Sequence, residues 1–158
     1  MRLSARVDYA LRAVVELASA GGPTDGDEAP IRPVTAERLA HAQEIPPKFL
    51  ESILLQLRQG GVVYAQRGPE GGYWLARPAA EITLAEVIRV IDGPLAHVRG
   101  RRPEDLEYTG AAQALQEVWI ALRASEREIL EMVTVADVAT GALPERITAL
   151  AADPSAWT

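Results

Sequence analysis

A single lysine, Lys48, stands among fifteen arginines, with Glu51 and Ser52 three and four residues further along. Side chains at those spacings share one face of a helix, so an ammonium, a carboxylate and a hydroxyl would project together. That trio suits base edges in a DNA major groove: the ammonium for guanine acceptors, the carboxylate for the cytosine amino group, and the hydroxyl for a base or a phosphate. The plainer alternative is a solvated helix face with ordinary charges. A second group is Arg67-Gly68-Pro69-Glu70-Gly71-Gly72. An arginine at the base of such a turn fits a narrow minor groove. Gly68, Gly71 and Gly72 would let the backbone approach a duplex, or else they simply build a tight turn. Near the start, Arg2, Ser4, Arg6 and Tyr9 are suited to phosphate contacts that fix register, or equally to a solvated surface.

The elements that must position these groups follow from periodicity. Leu3, Val7, Ala10, Leu11, Val14, Leu17 and Ala18 recur at helical steps and stop at Gly21-Gly22-Pro23. Residues 24–33, with their prolines and acids, read as an exposed loop. Thr35 is placed to cap a second helix carrying Leu39 and Ala40. After the short connection Gln43-Glu44-Ile45, Pro46-Pro47 opens a third helix, in which Phe49, Leu50, Ile53, Leu54 and Leu57 form the apolar side before Gly60-Gly61 ends it. Two short helices across a tight turn make a helix-turn-helix. Val62 to Gln66 and Tyr73 to Ala76 are β-prone runs around the glycine-rich turn, and a hairpin in that place is a wing.

Beyond the hairpin, Thr83-Leu84-Ala85-Glu86 has the pattern of a capping box, with Ile82 and Val87 at the positions of a hydrophobic staple. The helix it starts ends at Asp92-Gly93-Pro94. Residues 95–110 lack a period and read as a loop. From Ala111 to Val133 the composition is helical, with Leu115, Val118, Leu122, Ile129 and Met132 at heptad positions and Trp119 beside them. An apolar heptad on a helix this long is expected to be a dimer seam rather than a ligand surface. Val133 to Val138 then repeats the cap-and-staple pattern. The expected fold is mainly α with a small β wing: a winged helix-turn-helix domain over residues 1–80, a helical dimerisation arm over 81–141 with a linker loop at 93–110, and a C-terminal tail over 142–158.

Composition narrows the chemistry. There is no cysteine, which excludes disulfides, thiolate-held zinc and an all-cysteine iron-sulfur cluster. His41 and His97 are the two histidines, at no ligand spacing, so no metal and no cofactor is expected. No nucleophile motif or phosphate loop is present, and no enzymatic activity is expected. No run approaches the roughly 18 apolar residues of a membrane span, and no secretory signal opens the sequence, which together read as a cytoplasmic protein. The net charge of −6 is unevenly spread. Residues 1–78 balance nine basic against nine acidic side chains, whereas residues 79–158 set seven against thirteen. Charge therefore permits DNA binding by the first half without announcing it.

These motifs resemble the Rrf2 family of winged-helix repressors. The likeness runs through Met1-Arg2-Leu3-Ser4, Tyr9-Ala10, Ile45, Leu50-Glu51, Leu57-Arg58 and above all Arg67 to Tyr73, then Ile82 to Ile88 and Val133 to Asp137, covering about residues 1–139. It implies that groove-reading residues fall on Pro46, Lys48, Phe49, Glu51 and Ser52, with the minor-groove arginine at Arg67. It also implies a homodimer whose long helices cross and whose wings meet a palindromic operator on double-stranded DNA. Many members hold an iron-sulfur cluster through three cysteines in the segment that is here Leu95 to Gly110, and this chain has none. A small-molecule effector or a partner enzyme is the expected source of a signal.

Overall fold

The computed structural model describes residues 3–21 and 31–157. Arg2 and most of the loop assigned to residues 24–33 lie outside them. Helix α1, Ala5–Ser19, is started by Ser4, whose hydroxyl accepts from the Val7 N–H. Helices α2, Ala36–Gln43, and α3, Pro47–Gln59, follow the proline and threonine signals. Thr35 caps α2 by accepting from the Arg38 N–H at 3.2 Å. Between the two helices Glu44 adopts the left-handed conformation with φ 51°, which a side-chain-bearing residue occupies at a cost of about 1 kcal/mol. The turn is held from outside, because Arg12 of α1 donates to the Gln43 carbonyl and Gln43 donates to Glu16.

Strands β1, Val63–Gln66, and β2, Gly72–Leu75, pair antiparallel from Val63 opposite Leu75 to Gln66 opposite Gly72. Val34, ahead of α2, adds a bridge to Tyr73, so the hairpin is stitched to the start of the helix-turn-helix by two backbone hydrogen bonds. A 3-10 turn at Ala79–Glu81 leads to helix α4, Leu84–Asp92. The remaining helices are α5, Leu115–Met132, α6, Val135–Thr140, and α7, Glu145–Ala152.

One apolar core draws on most of these elements. Val7, Ala10, Val14 and Leu17 of α1 meet Leu39 of α2 and Leu50, Ile53, Leu54 and Leu57 of α3. Val63 and Leu75 close it from the hairpin, and Ile82, Ala85, Val87 and Ile88 close it from the start of α4. The larger of these side chains each contribute about 1.5–3 kcal/mol by leaving water. The core does not stop at residue 80: Val135 of α6 is fully buried in it, and the Thr83–Thr134 bridge ties the starts of α4 and α6 together.

The two cap-and-staple patterns turn out differently. At α6 the box is complete, with Thr134 accepting from the Asp137 N–H and Asp137 accepting from the Thr134 N–H. At α4 Thr83 accepts from the Glu86 N–H, but the Glu86 carboxylate pairs with Arg77 instead of reaching back. A guanidinium is a stronger partner for a carboxylate than a backbone N–H, and Arg77 is within reach. The long helix begins at Leu115, after a 3-10 turn at Gly110–Ala112, rather than at Ala111. The segment read as a featureless loop contains a further 3-10 turn, Pro103–Asp105, and buries Leu95, Pro103 and Leu106. Residues 142–158, for which the sequence suggested no element, hold α7 and a 3-10 turn at Pro154–Trp157.

Candidate nucleic-acid interface

Helix α3 is split cleanly by its own sequence. Leu50, Ile53, Leu54 and Leu57 face the core, which forces Lys48, Glu51 and Ser52 outward, and all three are exposed. Pro46 is the N-cap and Pro47 lies in the first turn, where its missing N–H costs no hydrogen bond. Phe49 stays half exposed and leans on α1, its ring 6.2 Å from that of Tyr9. Tyr9 in turn lies under the Arg12 guanidinium, which sits 5.2 Å from the ring centre and is paired with Asp8. That carboxylate raises the Arg12 pKa above its ordinary value, so the charge is fixed.

Ser52 is not a free hydroxyl. It donates to the Phe49 carbonyl and accepts from Arg6 of α1, both at 3.0 Å. The same guanidinium donates to the Gln56 side-chain oxygen one turn further on. Arg6 thus fixes two polar side chains of α3 from a neighbouring helix. Its part in holding α3 was not evident from the sequence, because no local pattern links residues 46 and 50 positions apart. A cleft of about 470 Å³ between α2 and α3 is lined by Glu37, His41, Pro47 and Glu51 among others.

At the tip of the wing Arg67 is exposed. The three glycines around it differ in what they do. A side chain on Gly72 would come within 2.7 Å of the Val34 backbone, and one on Gly71 within 2.3 Å of the Gln66 carbonyl. Both are required by the protein's own close packing. Gly68 instead has φ +107° and open space where its Cβ would be, so it is backbone conformation rather than crowding that favours glycine there. Tyr64 and Trp74 form an edge-on pair across the hairpin.

The long helix carries a different surface. Leu115, Val118, Leu122 and Ile129 are 40, 53, 43 and 38% exposed, which is unusual for leucine, valine and isoleucine aligned on one helix face. Met132, at the end of the stripe, is half-buried. Trp119 is turned away from that stripe: its indole N–H donates to the Tyr108 hydroxyl at 3.1 Å, and with Leu122 it borders a cleft that also includes Leu3, Ile88 and Leu95.

The comparisons with known proteins agree with one another. Residues 3–141 match the family model described as Rrf2, iron-dependent transcriptional regulator. Rv1287 of Mycobacterium tuberculosis, which carries the name of a putative HTH-type transcriptional regulator, is 52% identical over 153 residues, 97% of this chain and 90% of that protein. The HTH-type transcriptional regulator CymR of Bacillus subtilis is 30% identical over 89% of this chain and 91% of its own length. The solved structure of CymR, described as the global cysteine regulator of B. subtilis, superposes with a TM-score of 0.70 over 89% of this chain and 97% of that one. That of T. potens IscR gives 0.67 at 27% identity, over 90% and 88%.

The family's description names iron. The chain has no thiolate to offer, and among the described residues no three histidine or carboxylate side chains are grouped to hold a metal ion. Among the described residues no helix is long and apolar enough to cross a membrane. The fold is shared along nearly the whole chain with proteins named as transcriptional regulators: the chain belongs to the Rrf2 family and is a winged-helix, DNA-binding transcriptional regulator.

Proposed function

We propose that this regulator works in the cytoplasm as a homodimer that represses transcription by occupying a palindromic operator. The observation that carries the reading is the division of α3, buried through four apolar residues and open through Lys48 and Glu51. A helix anchored in this way presents its first two turns rigidly to a major groove. Lys48 and Glu51 read base edges, Pro46, Phe49 and Ser52 shape the approach, Tyr9 and Arg2 meet phosphates, and Arg67 enters the minor groove with Gly68 at the tip. Gly71 and Gly72 hold the wing in shape. The apolar stripe of α5 forms the seam through Leu115, Val118, Leu122, Ile129 and Met132, with Trp119 bracing its edge. Two copies related by a two-fold axis would place their reading helices about one turn of duplex apart, or a multiple of it. The signal arrives as a small molecule or a partner enzyme.

Gel shift with fragments upstream of the protein's own gene and its neighbours is the test. Binding should be tight, salt-sensitive and selective over random DNA, and Arg67→Ala should weaken it by about tenfold. Binding no tighter than to random fragments, or co-purification of a stoichiometric protein that covers Lys48, would replace this reading with that of a protein-interaction module.

A further inference from the structure

Four of the seven arginines in the acidic half of the chain converge on one cleft of about 490 Å³. They come from three places: Arg89 from α4, Arg102 from the loop, and Arg123 and Arg127 from α5. The cleft wall supplies one carboxylate, Glu104, which pairs with Arg123. Glu131, shared by Arg89 and Arg127, is a second. Two carboxylates leave four guanidiniums with a surplus of two positive charges, and Arg102 makes no ion pair within 4 Å among the described residues, its charge acting on Glu104 from further off. In a half where acids outnumber bases, such a surplus is not what composition alone delivers. Arg123 is held with only 22% of its side chain exposed, and Gly93, Pro94 and Leu95 add a neutral wall.

We infer that this cleft binds a small molecule carrying a phosphate or sulfate group, and that this molecule is the effector. Guanidiniums offer paired N–H donors matched to tetrahedral oxyanions, and a cleft of this size has room for a body beyond the anionic group. The site stays open in the proposed dimer. Arg123 is one residue on from Leu122, about 100° around α5, and Arg127 lies further round still, away from the stripe. An anion bridging Arg89 to Arg123 and Arg127 would tie α4 to α5, and α4 packs against α3, where Val90 lies against Gly60. The effector role rests on the regulator reading above, but binding does not.

The test is calorimetry of the full chain without DNA, at about 0.15 M salt, with inorganic pyrophosphate and inorganic sulfate as separate probes. At least one should bind saturably, and the one that does identifies the group. Arg102→Gln and Arg127→Gln, each with circular dichroism matching the parent, should weaken it by about tenfold, and Arg146→Gln, outside the cleft, should leave it unchanged. Saturation by neither probe, or affinity unchanged from the parent in both cleft variants, would overturn the inference. Loss on Arg67→Gln instead would move the anion to the wing and overturn it equally.

Discussion

Helices α3 and α5 are both amphipathic, and the chain treats their two faces in opposite ways. In α3 four apolar residues, Leu50, Ile53, Leu54 and Leu57, are buried inside the protomer, and the exposed remainder is mostly polar, with Phe49 and Leu55 half exposed. In α5 the buried residue is Glu126, while Leu115, Val118, Leu122 and Ile129 stand in solvent. A helix whose polar face is surplus has a stable place and something to present. A helix whose apolar face is surplus still lacks a partner. On the proposed reading, the contrast separates the face that would meet DNA from the face that would meet a second copy.

Substitutions sharpen that contrast when ranked by effect. Leu54→Ala should be the most damaging, lowering stability by about 2–5 kcal/mol in chemical denaturation, because it opens a cavity at a fully buried position. Leu122→Glu should leave the secondary structure in place yet weaken self-association by about thirtyfold or more in sedimentation, as expected for a central interface residue. A large stability loss with unchanged association would assign that face to the protomer's own core. Lys48→Ala should keep the melting temperature and lower operator affinity by about tenfold. The smallest effect is that of pH. Glu104 is held below the usual carboxylate range by Arg123, and Glu131 by Arg89 and then Arg127. Depressed values mean the pairs stabilise the fold fully above the unfolded carboxylate value and lose that contribution as pH falls through the lower folded values. Between about pH 6 and pH 3, urea midpoints of Glu104→Gln should therefore fall less steeply than those of the parent, by a modest margin because these groups are partly exposed.

What is legible in the sequence is whatever depends on neighbours along the chain. The heptad spacing of α5 and the shared face of Lys48, Glu51 and Ser52 follow from the helical repeat, and the proline pair opening α3 follows from proline's fixed φ and missing N–H. The misreadings have a common cause in distant contacts. Leu95, Pro103 and Leu106 are isolated apolar residues without a period, and their burial depends on what lies across from them. The cap at Thr83 matches the one at Thr134 in pattern, yet Arg77 draws its glutamate away. Ser52 looks like a free hydroxyl in the sequence because Arg6, 46 residues earlier, gives no local sign of reaching it. Trp119 sits one residue from a heptad position, and that single step, about 100° around the helix, turns it toward Tyr108.

The one lysine of the chain has a practical side. Apart from the terminal amine, its exposed ε-amino group is the only primary amine the protein offers. Amine-directed reagents therefore have one lysine to label, on the face of α3, and on the proposed reading a bound operator should shield that position from them. By the same logic, coupling the protein to a surface through that lysine would block the helix proposed to read the groove, whereas coupling through carboxylates of the acidic half would leave it open.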